Sequence, residues 1–246
     1  MITRITTGIY TGLGAAVCAG LAAGAYAYRS LWPGARIFGG AALTAPARPG
    51  ELALTFDDGP NGAWTPRLLD ILAQRDTRAT FFLLGSRVLA ELELVRRIAA
   101  AGHTIGNHSW SHDNLARMPT NLVREEIERT NDTLQQIIGA PVKLFRPPFG
   151  ARRPEVFGIA RELGLTPVLW NAMTSDWSEP SAERIAKRLA RKIKGLNRRG
   201  RAANIVLHDG GHHDAAANRE PSVTAAGLLL ERYAKSHRFV TVDTWC

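Results

Sequence analysis

Short apolar runs alternate with amphipathic stretches from residue 51 to the end of the chain. Seven runs have the length and composition of buried strands, and they occupy residues 52–56, 79–84, 104–106, 142–145, 167–170, 204–207 and 239–242. Between them, apolar residues recur at helical spacing, as Ile185, Leu189 and Ile193 do. Strands that alternate with helices predict an α/β fold with a mostly parallel sheet, and seven strands favour a barrel over an open sheet.

A different pattern occupies the N-terminus, where residues 5–28 contain no charged side chain. As a helix, these 24 residues would span roughly 36 Å, which is enough for the core of a bilayer. The weak hydrophobicity of this segment and its Ala25-Tyr26-Ala27 sequence also suit a cleaved signal peptide. We therefore predict a hydrophobic helix that is a membrane anchor or signal peptide over residues 1–28, with a buried helix as the alternative, and a linker over residues 29–50.

The composition is that of a globular protein, with 45% hydrophobic and 22% charged residues. A chain of 246 residues can bury one large apolar core or two smaller ones. Cys18 and Cys246 are the two cysteines of the sequence, which excludes a disulfide framework and a cysteine-based zinc site. We expect a monomer.

The net charge of +9 indicates an anionic neighbour without identifying it. Residues 184–201 hold nine Lys or Arg side chains, and the apolar spacing there predicts an amphipathic helix with a basic outer face. Contact with anionic lipid or a wall polymer is the functional alternative to a solvated helix face. No aromatic platform or groove-reading motif accompanies the charge, so nucleic acid is not expected as a partner.

Titratable side chains follow five of the seven predicted strands. They are Asp57 and Asp58, His108 and His112, Arg146, Asp176, and His208 with Asp209. In βα-barrels, the carboxyl ends of the strands and the loops that follow them build the active site. A single such residue is explained by a turn or a helix cap. Because five strand ends carry titratable side chains, we predict an active site at this end of the barrel.

Two imidazoles four residues apart, His108 and His112, form a candidate metal site. Either Asp57 or Asp58 can supply a third ligand, and a set of three protein ligands leaves one position for water, as in catalytic zinc sites. The other aspartate is then available to accept a proton from that water. Taken alone, the histidine pair is explained by a surface loop and the aspartate pair by a turn.

The chain contains, in this order, TFDDGP at 55–60, HSWSH at 108–112, RPPFG at 146–150, DW at 176–177 and LHDG at 207–210. Together these resemble the five ordered motifs of the polysaccharide deacetylases, the NodB-homology family. The resemblance defines a domain over residues 51–246. It implies a distorted (β/α)₇ barrel and metal-dependent hydrolysis of N-acetyl or O-acetyl groups on a glycan, such as a polymer of N-acetylglucosamine in a cell wall or outside the cell.

The resemblance also implies catalytic roles. Asp57 matches the general base, and Arg146 matches the residue that holds this base by a salt bridge. His208 matches the general acid, and Asp176 matches the carboxylate that is hydrogen-bonded to it. Each of these side chains has an ordinary structural explanation when it is considered alone.

For the metal, the resemblance implies Asp58, His108 and His112 as the ligands. Two imidazoles and a carboxylate suit Zn²⁺, which we expect, and also Co²⁺ or Ni²⁺.

A further set of residues is implied to contact the substrate. The backbone N–H of Phe149 would help to bind the oxyanion, and Pro148 belongs to the same motif. Trp177 and Val206 would line the pocket for the acetyl methyl group. Val206 and Phe149 replace residues that are often Leu and Tyr in the family, and Met173 occupies a position that is commonly Asp, so the departures concern substrate fit more than chemistry.

Two classes of function remain, an acetylated-glycan deacetylase and a non-catalytic glycan-binding wall protein on the same fold. A binder has no need of a complete catalytic set, so the presence of all six residues favours the enzyme; they are Asp57, Asp58, His108, His112, Arg146 and His208. Because polymer substrates of this kind lie outside the cytoplasm, we expect the domain to be membrane-anchored or secreted and to act there.

Overall fold

The computed structural model describes residues 17–25 and 42–246. Residues 17–25 are helical (α1), and Val17 and Leu21 are exposed. Among the described residues, no helix has the length and apolar character needed to cross a membrane. The rest of the predicted segment 5–28 and most of the linker 29–50 lie outside the described residues, so both assignments stay predictions.

Strands and helices alternate through the rest of the chain. The strands are β1 (Glu51–Gly59), β2 (Thr80–Leu83), β3 (Thr104–Asn107), β4 (Leu144–Phe145), β5 (Thr166–Pro167), β6 (Ala172–Met173), β7 (Ala203–His208) and β8 (Arg238–Phe239). The α-helices are α2 (Thr65–Gln74), α3 (Gly85–Val88), α4 (Leu92–Ala100), α5 (Thr120–Ile138), α6 (Pro154–Glu162), α7 (Ala182–Arg198) and α8 (Glu220–Tyr233). Short 3₁₀ turns are formed by Leu115–Arg117, Pro148–Gly150 and Val242–Trp245.

The strands form one curled parallel sheet with the order β5-β4-β3-β2-β1-β7-β6, and β8 pairs with the start of β1. The two outer strands, β5 and β6, are connected by residues 168–171. Asn204 on β7 reaches this connection, because its Nδ2 donates to the carbonyl of Leu169 at 2.8 Å. A short irregular segment thus takes the place of a strand ladder between the edges, which makes the barrel distorted. The predicted fold class is confirmed.

The predicted strand at 167–170 is wrong in its boundaries, and β6 was not predicted. The ladder of β5 ends at Pro167, and the backbone N–H groups of Val168 and Leu169 bond to the carbonyls of Phe145 and Leu43. Residues 168–170 are buried, which explains their apolar character. An apolar run reports burial, and burial does not require a strand.

The interior of the barrel is apolar at the amino ends of its strands and polar at their carboxyl ends. Ala53 packs in an apolar cluster with Val242 and Trp245 at the amino-terminal end, and Phe82, opposite Asp57 in the strand register, extends this cluster toward the carboxyl end. Farther along β1, side chains on the same face as Ala53 become polar, beginning with Thr55. The apolar cluster therefore lies beneath the polar side chains at the carboxyl ends of the strands.

Helix α7 buries an apolar stripe that includes Ile185, Leu189 and Ile193, as the spacing predicts. Ser181 caps its first turn by accepting from the backbone N–H of Arg184 at 3.2 Å. Gly195 lies inside α7, which continues to Arg198. The chain leaves the helix through Gly200, whose φ of 67° is left-handed.

Candidate active site

The carboxyl ends of four parallel strands bring predicted site residues to one edge of the sheet. Asp57 and Asp58 lie near the end of β1. His108 directly follows β3, and Arg146 directly follows β4. His208 is the last residue of β7, where the parallel register sets it beside Asp57. Residues that are far apart in the sequence therefore form one cluster.

Three side chains of this cluster offer the ligand atoms for a metal. Atoms of Asp58, His108 and His112 all lie within 4.8 Å of one another, and all three residues are buried. Nε2 of His112 is 3.1 Å from Oδ1 of Asp58, and Nε2 of His108 is 3.4 Å from the same oxygen. Two imidazole nitrogens and one carboxylate oxygen match the ligand preferences of Zn²⁺, Co²⁺ and Ni²⁺.

The hydrogen bonds around these atoms fit a bound cation. Nδ1 of His108 is 2.7 Å from the carbonyl oxygen of Arg146, so Nδ1 carries the proton and Nε2 is an acceptor in the neutral ring. Across residues 17–25 and 42–246, no hydrogen-bond donor is aligned on the buried Oδ1 of Asp58. Two electron-pair donors thus face each other in a buried site, an arrangement that a divalent metal would stabilise.

The protonation states of these residues also suit a metal. Burial, the strongest single influence on Asp58, favours its neutral form, but the adjacent imidazoles of His108, His112 and His212 hold the pKa of Asp58 well below its usual range. Burial lowers the pKa of His112. Metal binding requires an ionised carboxylate and neutral imidazoles, which these shifts favour.

Left-handed backbone occurs at several residues of the cluster. Asp58, Ser109, His112 and Phe149 have φ values of 69°, 66°, 67° and 59°. For residues other than glycine, this region costs on the order of 1–3 kcal/mol each and persists only where surrounding contacts fix it. The concentration of this conformation at one edge of the sheet indicates a functional site.

Helix α5 fixes the loop that carries the two histidines. Oε2 of Glu126 accepts from the backbone N–H groups of Trp110 and Ser111 at 2.9 and 2.8 Å. Asn107 donates to the carbonyl of Ile127 and accepts from the N–H of Ser109. The pair separated by four residues therefore lies in a braced loop and not on a helix.

Asp57 forms a buried ion pair on the inner face of the barrel. Its Oδ1 accepts from Nη1 of Arg146 at 2.7 Å, while its Oδ2 is 3.9 Å from Nε2 of His108. Arg146 also donates to Thr55 at 2.7 Å and to Asn204 at 3.3 Å, and its guanidinium lies 4.0 Å from the ring centroid of Phe82. One carboxylate oxygen is thereby fixed, and the other faces the metal-ligand cluster.

His208 is paired with Asp176. Its Nδ1 is 3.0 Å from Oδ1 of Asp176, whose Oδ2 accepts from the backbone N–H of His208 and from Oγ of Ser222. Burial, the largest single influence, favours the neutral imidazole. The negative charge of Asp176, with smaller contributions from Asp58 and Asp57, outweighs it and raises the pKa of His208 to about 9. The imidazole is therefore protonated at neutral pH.

Two exposed aromatic side chains flank the cluster. Phe149 is 49% exposed, and its ring meets that of His112 edge-on at a centroid distance of 4.6 Å. Trp177 is 47% exposed, and its ring meets that of His208 at 5.2 Å. Val206 is buried on the same face of β7 as His208.

Pro148 is the buried first residue of the 3₁₀ turn that carries Phe149. Its predicted contact with substrate stays a prediction, as do those of Phe149, Trp177 and Val206.

Several side chains of the site were not identified from the sequence. They are Thr55, Glu126, Asn204, His212 and Ser222. Of these, His212 lies nearest the metal-ligand cluster, with its Nδ1 3.3 Å from Oδ2 of Asp58. Its position four residues after His208, at the carboxyl end of β7, was the one available signal.

Gly210 permits close contact between the loop after β7 and the end of β1. A Cβ added at Gly210 would lie 2.0 Å from the backbone oxygen of Asp58. We predict that Gly210→Ala lowers the free energy of unfolding by about 1–3 kcal/mol and displaces Asp58, because the backbone must move. Urea unfolding measures this effect. Gly158→Ala is the control, since a Cβ in that part of α6 meets nothing within 4 Å, and equal stability of the two variants would contradict the prediction.

Beside Gly210, the Asp209 carboxyl is also buried and accepts a hydrogen bond from Thr65. Burial raises the pKa of Asp209 to about 7, although the hydrogen bond from Thr65 opposes that shift. This carboxyl lies beneath the loop and is not part of the metal-ligand cluster.

Comparison with known proteins identifies the class of protein that this fold and site define. The polysaccharide deacetylase family model matches residues 44–168. The chain is also 40% identical over 204 residues to a peptidoglycan-N-acetylglucosamine deacetylase of Bacillus cereus, a match that covers 82% of this chain and 70% of the relative. The chain therefore belongs to the polysaccharide deacetylase family of hydrolases.

Solved structures agree with this membership. The Bc1960 peptidoglycan N-acetylglucosamine deacetylase, in complex with a hydroxamate-type benzamide, has a TM-score of 0.71 and 35% identity, and the match covers 82% of this chain and 90% of that one. A mutant of BA3943, described as a CE4 family pseudoenzyme with restored enzymatic activity, has a TM-score of 0.72 and 26% identity, covering 82% and 69%. The fold therefore occurs both with and without catalysis.

Proposed function

We propose that this chain is a metal-dependent deacetylase that removes N-acetyl groups from N-acetylglucosamine units of a cell-wall polysaccharide. The observation that carries the proposal is the buried cluster of Asp58, His108 and His112, with the carboxylate of Asp57 and the imidazole of His208 beside it. The names of the relatives support the choice of peptidoglycan N-acetylglucosamine as substrate.

The metal would be held by Asp58, His108 and His112, and we propose Zn²⁺. When bound, a divalent metal polarises the acetyl carbonyl and makes water more acidic.

Asp57 acts as the general base in this proposal. The ion pair with Arg146 fixes Oδ1, so Oδ2 is the oxygen that accepts the proton of the attacking water. Because Arg146 is fully buried and bonded to Thr55 and Asn204 as well, the carboxylate is held in one orientation. Such preorganisation avoids reorganisation at the moment of proton transfer.

His208 acts as the general acid. Its proton is transferred to the nitrogen of the glucosamine as the C–N bond of the amide breaks, which yields acetate and a free amine. Asp176 keeps the ring oriented and charged, and Ser222 holds Asp176 in turn. The backbone N–H of Phe149 contributes to binding of the oxyanion, and Trp177 and Val206 contact the acetyl methyl group.

The alternative function is glycan binding without catalysis. All six residues of the proposed machinery are present and lie in one cluster, which favours the enzyme over this alternative. Removal of O-acetyl groups needs the same base and metal but depends less on a general acid, because an alkoxide leaves more easily than the anion of an amine. A His208 that Asp176 keeps protonated therefore favours N-acetyl groups.

We also propose that the domain acts outside the cytoplasm and is tethered or exported through its N-terminal segment. The basic residues at and just after the end of α7 support tethering, because one of them, Arg201, donates to the carbonyl of Ala45, close to where the N-terminal segment joins the domain. Basic residues at that end would favour an anionic membrane surface. A reporter fused after residue 50 should be active outside the cytoplasm, and activity confined to the cytoplasm would contradict this proposal.

Acetate release tests the main proposal. The chain is expected to release acetate from peptidoglycan, and chitin oligomers and an O-acetylated glycan serve as comparison substrates. A chelator should abolish the release, and added Zn²⁺ should restore it. A folded protein that binds peptidoglycan, releases no acetate from any substrate and is indifferent to Zn²⁺ would support the binding protein instead.

A further inference from the structure

The loop between β7 and α8 carries a histidine that contacts the candidate metal site from outside the ligand set. Nδ1 of His212 is 3.3 Å from Oδ2 of Asp58. The other oxygen of that carboxylate, Oδ1, is the one close to His108 and His112. The two oxygens of Asp58 thus have different neighbours.

Aromatic contacts fix the ring of His212 in this position. It stacks on the ring of His112 with a centroid distance of 4.1 Å and an interplanar angle of 22°. It also meets the ring of Phe149 edge-on at 5.6 Å. His212 therefore touches two of the proposed ligands and one residue of the proposed substrate cleft.

The backbone of the loop is anchored on both sides of His212. Nη2 of Arg87 donates to the carbonyl oxygens of Gly211 and His212 at 2.5 and 3.3 Å. Nε of Arg219 donates to the carbonyl of Gly210 at 2.6 Å. These bonds come from α3 and from the residue before α8, so the loop is braced against the rest of the fold.

We infer that His212 is a positioning residue for the metal ligand Asp58, an inference that rests on the proposed function. Its Nδ1–H donates to Oδ2 and so keeps Oδ1 directed toward the two ligand imidazoles. Without this hydrogen bond, the carboxylate can rotate about its last torsion angle, because no other side chain among the described residues is hydrogen-bonded to Oδ2. The contact with Oδ2, and not Oδ1, distinguishes this role from that of a fourth ligand.

The test is the dissociation constant for Zn²⁺, measured by competition with a chromophoric chelator on the full chain. His212→Ala is expected to weaken Zn²⁺ binding about 10–100-fold, the usual effect of losing a residue that orients a metal ligand. His212→Asn should retain most of the affinity, since its side-chain amide can donate from the position of Nδ1. His213→Ala is the matched control and should bind as the wild type does, because His213 is exposed and, among the described aromatic rings, its ring meets that of His212 and not that of a proposed ligand.

The outcomes separate this inference from the proposed function. Unchanged affinity in His212→Ala would overturn the inference, while acetate release by the wild type would leave the proposed function standing. Equal loss in His212→Ala and His212→Asn would identify a direct ligand and would also overturn positioning. A wild-type chain that binds no Zn²⁺ would overturn both. The free energy of unfolding of the metal-free variants, measured in urea, should match that of the wild type. A large loss of stability in His212→Ala would indicate that His212 has a structural role and would overturn positioning.

Discussion

Asp57→Asn is expected to lower kcat by about 10²–10⁴-fold while the protein keeps its bound metal, because Asp57 is the proposed general base and lies outside the ligand set. The amide oxygen can still accept the hydrogen bond from Arg146, but an amide cannot take a proton from water. Acetate release gives the rate, and elemental analysis of the dialysed protein gives the metal content.

Asp58→Asn is the matched variant, with the same chemical change one residue along the chain. It should weaken metal binding first, because an amide oxygen is a poorer ligand than the carboxylate that His108 and His112 surround. Rate should then recover in part at high Zn²⁺ concentration. If Asp57→Asn lost the metal and Asp58→Asn kept it, the two roles would be exchanged.

Stability must be measured beside these rates. Arg146 is fully buried, and complete loss of a buried ion-pair partner costs about 3–5 kcal/mol. The retained hydrogen bond should make the cost of Asp57→Asn smaller than that. A variant that is folded by urea titration, holds its metal and turns over at nearly the wild-type rate would refute the assignment of Asp57 as base.

Most of the fold that could be predicted from the sequence was predicted from apolar runs, which mark buried residues. The run at 52–56 lies within β1 because it is buried on both faces, the pattern that a central parallel strand requires. The same reasoning extended a strand over residues 168–170, which are buried in a connection instead. The hydrophobic pattern reports which residues are covered, and the ladder depends on neighbours that the pattern does not identify.

The candidate site, like the fold, could be predicted from the sequence only in part. Motif residues could be predicted because their types and order resemble a family, yet the sequence alone left Asp57 and Asp58 interchangeable. The structure distinguishes them by their partners, Arg146 for Asp57 and the two imidazoles for Asp58. The participation of Asn204 depends on strand register and that of His212 on the path of one loop, and the order of the motifs specifies neither.

Asp176→Asn is expected to move the alkaline limit of activity to lower pH and to reduce the maximal rate. In the wild type, Asp176 raises the pKa of His208 to about 9, so the proposed general acid is protonated through neutral pH and activity should fall as the pH rises through about 9. Removing the negative charge lowers the pKa of His208, and the imidazole then loses its proton at a lower pH. Metal content should be unchanged, because neither residue is a proposed ligand.

Two further variants bracket this effect. His208→Ala should lose most of the rate, by about 10²–10⁴-fold, and with it the alkaline limb of the pH profile. Ser222→Ala removes a hydrogen bond to Asp176 but leaves its charge, so the limb should stay near the wild-type position. A limb that shifts as much in Ser222→Ala as in Asp176→Asn would show that orientation, and not charge, sets the pKa of His208.

Stability against pH provides a readout that does not depend on turnover. Because the folded-state pKa of His208 lies above its ordinary value of 6.5, its protonation stabilises the fold fully below pH 6.5, and this contribution is lost as the pH rises through about 9. The free energy of unfolding should therefore fall between pH 7 and pH 10, a range set by that raised pKa, in the wild type and fall less in Asp176→Asn. An NMR titration of the His208 ring measures the pKa directly in both proteins. If Asp176→Asn leaves both the ring titration and the alkaline limb in place, the ion pair does not control the general acid, and another group must account for the proton that the departing amine receives.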